Sequence, residues 1–365
     1  MPDDHYGSGT MNMTTYKKAG VSLSLGDICS EIMSSASDRT FKNRKGKEGK
    51  INVVESKGLY RVITISLGSL KLMLNSDGIG TKVEIAERTG IHRTVAYDLF
   101  AMLCDDAIRY GAEPIAISNI LDVNKLSVDV VKDISEGMVE AAGDAGVAVV
   151  SGEIAELGSR ISGYGRYNYN WAGTVLSILR KELREERIKK GHLIVALEEK
   201  GFRSNGLTLV RNILEKAYGA RWHRKKIKGK TLGEMVLIPS RIYTPAVLDM
   251  LDLVDGIVHI TGGGIPSKLG RLLSAVRLGA DIPELFAPPE IMLACQKLGS
   301  VDDKEAYKVW NMGQGMLVIT DNPENVISIA GRHKIRAKIA GEITGKRGIR
   351  IKSKGFYRKG KVLLY

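Results

Sequence analysis

The residues most clearly able to carry out chemistry lie in one octapeptide, Asn75–Lys82. Within six positions it supplies a carboxylate, two glycines, a hydroxyl and an ammonium, from Asp77, Gly78, Gly80, Thr81 and Lys82. A carboxylate can hold a divalent cation, glycines let backbone N–H groups approach an anion, and the last two side chains suit phosphate. We interpret the stretch as the phosphate and metal end of a nucleotide site. A tight turn with a solvated lysine is an equal alternative at this point, because the octapeptide is neither a Walker loop nor a dinucleotide fingerprint.

The sequence on both sides predicts how this octapeptide is held. Alternating leucines in Leu70–Asn75 predict a strand that leads into it, and Val83–Ala86 resumes a helical pattern. The preceding run Tyr60–Leu67 predicts a second strand, joined to the first by a hairpin around Gly68-Ser69. The octapeptide is therefore expected at the exit of a strand.

Further carboxylates are expected nearby. Apolar residues recur at helical spacing in Tyr97–Tyr110, and this predicted helix carries Asp98, Asp105 and Asp106. The first two are seven residues apart and share a face, while Asp106 is turned by about 100° from its neighbour. The apolar strand 147–150 runs directly into Ser151-Gly152-Glu153, and the C-terminal end of a strand is where α/β proteins commonly place ligand groups.

The second half of the chain repeats the strand, glycine turn and helix pattern. The turn Gly201–Gly206 precedes the predicted helix Leu207–Tyr218, for which Asn205 is a suitable N-cap. The glycine run Thr261–Gly264 precedes another helix, Pro266–Val276. The recurrence predicts two α/β lobes, of mixed α/β (α+β) class, that face one cleft.

At 365 residues the chain exceeds what one hydrophobic core usually supports. We place the domain boundary in the charged segment 180–190, which gives a loose tail at 1–15, an N-terminal lobe at 16–180 and a C-terminal lobe at 181–365. Residues 39–57 are dense in lysine, glycine and polar residues and predict an exposed loop.

The net charge is +13, from 54 lysines and arginines against 41 acids. Eight basic residues and no acid lie between Lys346 and Lys361, which indicates a nucleic-acid patch or, as we prefer, a solvated basic edge strand. The three scattered cysteines suit buried thiols in a reducing compartment. No long apolar run or signal peptide is recognisable, so we expect a cytoplasmic protein without a membrane partner.

Collinear motifs over residues 16–345 resemble a known family, aminoimidazole ribonucleotide synthetase, also called phosphoribosylformylglycinamidine cyclo-ligase. The resemblance rests on Tyr16-Lys17-Lys18-Ala19-Gly20-Val21, Ser76–Lys82, Tyr97–Met102, Gly111-Ala112-Glu113-Pro114, Ser151–Glu156, Ser204-Asn205-Gly206, Pro239–Tyr243, His259–Gly264 and Asn311–Met316. The Asp77–Lys82 and Gly111–Pro114 elements are shared with a superfamily that includes selenophosphate synthetase and thiamine-monophosphate kinase. The first element and the Pro239–Tyr243 and His259–Gly264 elements favour the cyclo-ligase.

This resemblance implies an ATP- and Mg2+-dependent ring closure of formylglycinamidine ribonucleotide to aminoimidazole ribonucleotide, ADP and phosphate. It implies a homodimer whose N-terminal lobes pair into a barrel-like sheet, with small nucleotides as partners. Catalytic roles fall to Asp77, Lys82, Asp98 and Asn205, and metal binding to Asp77, Asp106 and Glu153. ATP binding falls to Lys17, Asp77, Gly78, Gly80, Thr81, Lys82, Asp106 and Glu153, and substrate binding to Arg203, Ser204, Asn205, Thr261, Gly262, Gly263 and Gly264.

The chain departs from the family pattern around the expected site. Arg203 stands where the family usually has histidine, so proton transfer at that position is in question, although arginine can bind phosphate. Ile154 replaces a usual threonine, residues 160–170 replace an acidic loop, and a lysine-rich stretch at 41–57 replaces a glycine- and phenylalanine-rich one. These changes leave open a paralogue acting on another substrate or a non-catalytic nucleotide-binding protein. His259 is equally compatible with a core and a site role.

Overall fold

The chain forms two large β-sheets, each with helices packed against it, and one two-stranded sheet, in a computed structural model that describes residues 28, 32, 38–39, 41–47, 49–54 and 62–365. The strands are β1 (Lys50–Val54), β2 (Val62–Leu67), β3 (Leu70–Gly78), β4 (Ala112–Val123), β5 (Ala148–Glu156), β6 (Tyr169–Leu179), β7 (Leu193–Glu198), β8 (Lys226–Ile227), β9 (Lys230–Thr231), β10 (Gly256–His259), β11 (Gly279–Ile282), β12 (Gln314–Thr320), β13 (Ala337–Thr344), β14 (Gly348–Lys352) and β15 (Val362–Leu364).

The α-helices of the described residues are α1 (Lys82–Thr89), α2 (Val95–Ile108), α3 (Val128–Ala145), α4 (Leu207–Tyr218), α5 (Leu232–Val236), α6 (Thr244–Asp249), α7 (Gly264–Ala275), α8 (Glu290–Gly299), α9 (Asp303–Val309) and α10 (Pro323–Arg332). The N-terminal sheet has the order β1-β2-β3-β6-β4-β5, in which β4 and β5 run parallel and the other neighbours antiparallel. The C-terminal sheet has the order β10-β12-β7-β13-β11-β14-β15. The mixed α/β class with two lobes is confirmed, and a single protomer contains no closed barrel among the described strands.

Helix α2 is the central element between the two lobes. Nearly all of its residues are buried, including Asp98 and Asp105, whose side chains have no exposed area. One side of the helix packs on strands of the N-terminal sheet. At its C-terminal end Ile108 packs in the same cluster as Tyr243 and Val247 of the second lobe. Because two carboxylates are buried along this helix, each requires polar partners from the second lobe.

Several sequence-based predictions of secondary structure are confirmed. The hairpin around Gly68-Ser69, the acidic helix and the helix Leu207–Tyr218 are all present. The basic edge-strand interpretation is wrong, because the outer strand β15 carries no basic residue and the basic segment instead supplies β14, which pairs with a strand on each side. The two cysteines within the described residues, Cys104 and Cys295, are free and buried.

Three further local predictions are wrong. The exposed loop expected over 39–57 contains strand β1, because a second strand is available to pair with it. Residues Ser151–Glu153 lie within β5 and not beyond its end, since pairing with β4 continues through them. The N-cap of α4 is Gly206, in left-handed conformation, and not Asn205.

No helix of the described residues has the length and apolar character needed to span a bilayer.

Candidate active site

Three glycine turns, one from the N-terminal lobe and two from the C-terminal lobe, meet at one place. A methyl group placed on Gly80 would lie 3.7 Å from the carbonyl oxygen of Ser204, and one placed on Gly262 would lie 3.6 Å from Oδ1 of Asn205. The hydroxyl oxygens of Thr81 and Thr208 are 3.4 Å apart. The structure therefore brings together the 76–82, 201–206 and 261–264 turns that the sequence marked separately.

Each of these turns leads into the N-terminus of a helix, α1, α4 or α7. Unpaired backbone N–H groups and the helix dipole make such ends favourable for anions. Gly264 has a φ of 60°, and a Cβ there would lie 1.9 Å from the carbonyl oxygen of Tyr307, so only glycine fits. Three converging helix ends form what we call the anion cleft.

Two polar atoms at the edge of the anion cleft lack a hydrogen-bond partner within the described chain. They are Oγ of Ser204 and Nδ2 of Asn205, and both atoms are buried. Buried polar groups without partners are rare in proteins and commonly mark a ligand or water position. Ser204 and Asn205 are therefore poised to donate to a molecule in the cleft.

Asp77 and Asp106 form an acidic pair beside the cleft. Asp77 is exposed on its outer side, but surrounding protein atoms withdraw water from its carboxylate, and this desolvation, together with the charge of Asp106, raises its pKa to about 6. Burial opposes ionisation of Asp106 as well, but the Arg109 guanidinium and a hydrogen bond from His259 hold its pKa well below its usual range. Asp106 is thus a permanent anion, and Asp77 titrates near neutrality.

Two cations accompany this pair, and the sequence reasoning missed both. Nε of Arg109 lies 2.9 Å from Oδ1 of Asp106, and the positive charge of Lys268 acts on both Asp77 and Asp106. Arg109 could have been found from its i, i+3 spacing after Asp106. Lys268 lies in the second turn of α7, which places it near the glycine run.

His259, at the end of β10, connects the acidic pair to the interior. Its Nδ1 is 3.2 Å from Oδ1 of Asp106, and its Nε2 is 2.9 Å from Nη2 of Arg203. Because arginine can only donate, Nε2 must be the acceptor, so the proton of the neutral ring is on Nδ1 and is donated to Asp106. Burial lowers the pKa of His259 and outweighs the opposing effect of Asp106. Its side chain combines the core and site roles that the sequence left open.

Arg203 is fully buried in this structure and does not face the anion cleft. Its guanidinium donates to Oδ2 of Asp105 at 2.8 Å, to Oε2 of Glu199 at 2.9 Å and to the carbonyl oxygen of Arg241 at 2.9 Å. Burial alone would lower its pKa, but the two carboxylates reverse this and raise the pKa above its ordinary value. Its φ of 58° is in the left-handed region, so this fixed geometry carries backbone strain.

Lys82 is likewise engaged inside the protein. Its Nζ lies 2.6 Å from Oδ1 of Asp98 and 2.6 Å from the carbonyl oxygen of Ile238, with neither charged side chain exposed. Ser240 donates to the same carboxylate oxygen through its backbone N–H and its hydroxyl. Burial raises the pKa of Asp98, against the opposing effect of Lys82. The pair fastens α1 and α2 to the second lobe and lies away from the open cleft.

Glu153 is not brought to Asp77 within one protomer. In the sheet register Asp77 pairs with Gly173, Gly173 with Asn119, and Asn119 with Gly152, so the neighbour Glu153 lies on the opposite face. Three strand spacings also separate the two strands, about 14 Å. The described residues contain no group of three or more metal-ligating side chains close enough to hold an ion.

Of the four remaining predicted site residues, the structure describes three. Gly78 donates its backbone N–H to Oδ1 of Asp77 at 2.7 Å, which orients that carboxylate. Thr261 and Gly263 belong to the turn that begins α7. Lys17 lies outside the described residues.

Comparison with known proteins identifies the family. Family models described as the N-terminal and C-terminal domains of AIR synthase related protein match residues 59–178 and 189–354. A Methanococcus vannielii protein named phosphoribosylformylglycinamidine cyclo-ligase is 35% identical over 96% of this chain and 97% of its own length. The chain belongs to the phosphoribosylformylglycinamidine cyclo-ligase family. A second cyclo-ligase, from Methanocaldococcus jannaschii, is 36% identical over 91% of this chain and 92% of its own length.

Solved structures of other proteins share the fold of this chain. A ThiL structure, described as complexed with AMPPCP and TMP, superposes with a TM-score of 0.58 over 90% of this chain and 95% of that one. Its sequence identity is 15%, so this likeness concerns the fold alone. The sequence relatives and family models confirm the cyclo-ligase resemblance inferred from the motifs, whereas the roles of individual residues remain predictions.

Proposed function

We propose that this chain catalyses the ATP-dependent ring closure of formylglycinamidine ribonucleotide, giving aminoimidazole ribonucleotide, ADP and phosphate. The observation that carries the proposal is the convergence of three glycine turns and three helix N-termini beside Asp77 and Asp106. Such a cleft suits two phosphate-bearing molecules. Relatives that match over more than nine-tenths of the chain are named for this reaction.

The acidic pair fits a magnesium ion that accompanies the nucleotide. Mg2+ is usually bound through one or two carboxylates together with substrate phosphates. Asp106 is held ionised, and desolvation together with the charge of Asp106 raises the pKa of Asp77; a bound cation relieves the repulsion between the two carboxylates. We propose Asp77 and Asp106 as the holding residues. When bound, the ion neutralises phosphate charge and polarises the transferred phosphoryl group.

The chemistry requires activation of a poor leaving group. The formyl oxygen takes the γ-phosphoryl group of ATP, an amidine nitrogen attacks the same carbon, and phosphate leaves with that oxygen. No covalent bond to the protein is needed, so the chain contributes by positioning and by charge stabilisation. We propose that the three helix ends and Lys268 hold phosphates, and that Ser204 and Asn205 donate to substrate.

We propose positioning roles for Arg203 and Lys82. In this structure both cations are buried and ion-paired with buried carboxylates. Arg203 fixes His259, and His259 fixes Asp106. Lys82 fixes Asp98 at the junction of the lobes. A buried guanidinium cannot carry out any proton transfer that a histidine at position 203 would provide.

A homodimer is also part of the proposal. One face of the N-terminal sheet exposes large apolar side chains, and Leu70, Leu74 and Ile120 are 48%, 54% and 51% exposed. Glu153 pairs directly with Ile120 and therefore shares this face. A second copy packed here would cover the apolar residues, and Glu153 would act across that interface. Sedimentation equilibrium tests this: the proposal requires a dimer that Leu74→Asp dissociates, and a monomeric wild type contradicts it.

Complementation tests the function in a cell. Expression of this chain in a purine auxotroph that lacks its own cyclo-ligase should restore growth without added purine. Asp77→Asn serves as the matched control, since it removes one charge and keeps the side-chain shape. Failure of a well-expressed wild type to restore growth argues for a paralogue on another substrate. ADP release against a panel of acceptors then separates a kinase from a non-catalytic binder.

A further inference from the structure

A second cavity lies between the lobes, and none of its lining residues belongs to the anion cleft. Its volume is about 570 Å³, within the range of small-molecule sites. Tyr97 and Asp144 line it from the N-terminal half, and Lys200, Arg241 and Lys334 from the C-terminal half. We call it the lobe cavity.

The lobe cavity carries uncompensated positive charge. Among the described residues, no carboxylate lies within ion-pair distance of the ammonium groups of Lys200 or Lys334. The wall carboxylate of Glu199 is matched by Arg203. The other wall carboxylate, Asp144, offsets only one of the three wall cations Lys200, Arg241 and Lys334. The cavity therefore favours an anion.

Arg241 provides a more specific signal. Its Nη1 donates to the carbonyl oxygen of Lys334 at 3.1 Å, which anchors the guanidinium at the wall. Its Nε is buried and has no hydrogen-bond partner within the described chain. A buried arginine donor without a partner costs free energy unless a ligand or water satisfies it. Arginine is also the side chain best suited to phosphate and carboxylate groups.

The rest of the wall is mainly apolar, and its polar members are Ser240 and His333, which contacts Asp249. The remaining lining includes Ile238, Pro239, Ile242, Pro245 and Ile335, alongside the ring of Tyr97. A cationic rim over an apolar floor selects a ligand with an anionic group and a flat apolar body. Inorganic phosphate alone would leave the floor unused.

We propose that the lobe cavity is a second ligand site, for a small aromatic or heteroaromatic phosphate, distinct from the nucleotide and substrate cleft. Lys200, Lys334 and Arg241 bind its phosphate, and the apolar wall with Tyr97 packs against its ring. The site requires no contact with the residues that hold ATP.

The wall of the lobe cavity that contains Ile238 and Ser240 also makes contacts between the two lobes. Ile238 accepts from Lys82, Ser240 donates to Asp98, and Tyr243 donates its N–H to Asp105. A ligand packed on this segment acts on the same contacts that position the anion cleft. This coupling rests on the proposed function, and by linkage ATP and the second ligand alter each other's affinity by one common factor.

Calorimetric titration with phenyl phosphate tests the site, because this probe has a ring and a phosphate but no adenine. We expect saturable binding to the full-length protein that persists at saturating ATP. The double variant Lys200→Glu, Lys334→Glu should weaken it at least tenfold. The control Lys216→Glu, Lys226→Glu carries the same net charge on exposed residues that do not line the cavity and should leave it unchanged.

Four results overturn the proposal: no saturable binding, equal weakening in both double variants, loss of binding in ATP, or binding of inorganic phosphate as tight as that of phenyl phosphate. Absence of ATP binding leaves the phenyl phosphate titration valid. Failure of the proposed function and failure of this site are therefore separate outcomes.

Discussion

Nη2 of Arg203 lies 2.9 Å from Nε2 of His259, and the other ring nitrogen of that histidine lies 3.2 Å from Asp106. The guanidinium that replaces the family's histidine is thus two contacts away from the acidic pair, inside the protein. Its other donors hold Asp105 and Glu199. Position 203 is therefore part of the buried support of the acidic pair.

Replacing Arg203 with the family's histidine should destabilise the protein. The shorter side chain cannot reach both Asp105 and Glu199, so at least one buried carboxylate loses its partner, at a cost of about 3–5 kcal/mol. Urea denaturation measures the change. Arg336→His is the matched control, because that side chain is 73% exposed and its ion pair with Glu198 contributes at most about 1 kcal/mol. Equal losses in the two variants would show that Arg203 is not a buried anchor.

Lys82→Met should also destabilise strongly, because it leaves the carboxylate of Asp98 buried without its cation. We expect a loss of about 3–5 kcal/mol, partly recovered in the double variant Lys82→Met, Asp98→Asn. Lys71→Met is the control, since Lys71 is 48% exposed and 3.8 Å from its carboxylate. The alternative is that Lys82 serves ATP alone; then stability stays unchanged and only nucleotide affinity falls.

The raised pKa of Asp77 predicts a pH-dependent effect on stability. A folded-state pKa of about 6 exceeds the ordinary value of 3.8, so the folded state binds the proton more tightly than the unfolded state. Asp77 therefore destabilises the ligand-free protein above pH 6, and this penalty is lost as the pH falls from 6 towards 4. Asp77→Asn keeps an acceptor for Gly78 and should be more stable than the wild type at pH 7.5, with a difference that disappears near pH 4.

The comparison is made by thermal unfolding of both proteins without nucleotide over this pH range. A difference that stays constant with pH contradicts the raised pKa. A wild type more stable than Asp77→Asn at pH 7.5 contradicts the desolvation that causes it.

Lys268→Ala should weaken binding of an ATP analogue about tenfold, which corresponds to about 1.4 kcal/mol. The lysine lies close enough to Asp77 and Asp106 to act on both charges, and its removal leaves phosphate facing two carboxylates. Calorimetric titration in magnesium measures the affinity. Lys297 is an exposed lysine on α8, and the Lys297→Ala variant should bind the analogue as the wild type does. Unaltered affinity in Lys268→Ala places the phosphates elsewhere.

Much of the scaffold could be predicted because periodicity is local. The hairpin at Gly68-Ser69, the acidic helix and the glycine-initiated helix α7 all follow from patterns within a few residues. Strand β1 was missed because its pairing with β2 compensates for a lysine-rich sequence. Residues Ser151–Glu153 were placed at a strand end because the length of pairing with β4 is a tertiary property.

The chemical type of the site could be predicted from the sequence, but the ion-pair partners of its charged side chains could not. Spacing indicated that Asp98 and Asp105 share a face, and both do contact the second lobe. Sequence could not show that Lys82 and Arg203 form ion pairs with these carboxylates, because the paired residues are 16 and 98 positions apart. It also could not place Glu153 on the opposite sheet face from Asp77, which depends on register across four strands.

The most direct test of the central claim is the product of a single incubation. Purified protein with ATP, magnesium and formylglycinamidine ribonucleotide is quenched, and aminoimidazole ribonucleotide and ADP are quantified together. We expect equal amounts of the two products, dependent on both substrates and reduced at least tenfold in Asp77→Asn. ADP formed without aminoimidazole ribonucleotide, or no product where a reference cyclo-ligase turns over, would contradict it.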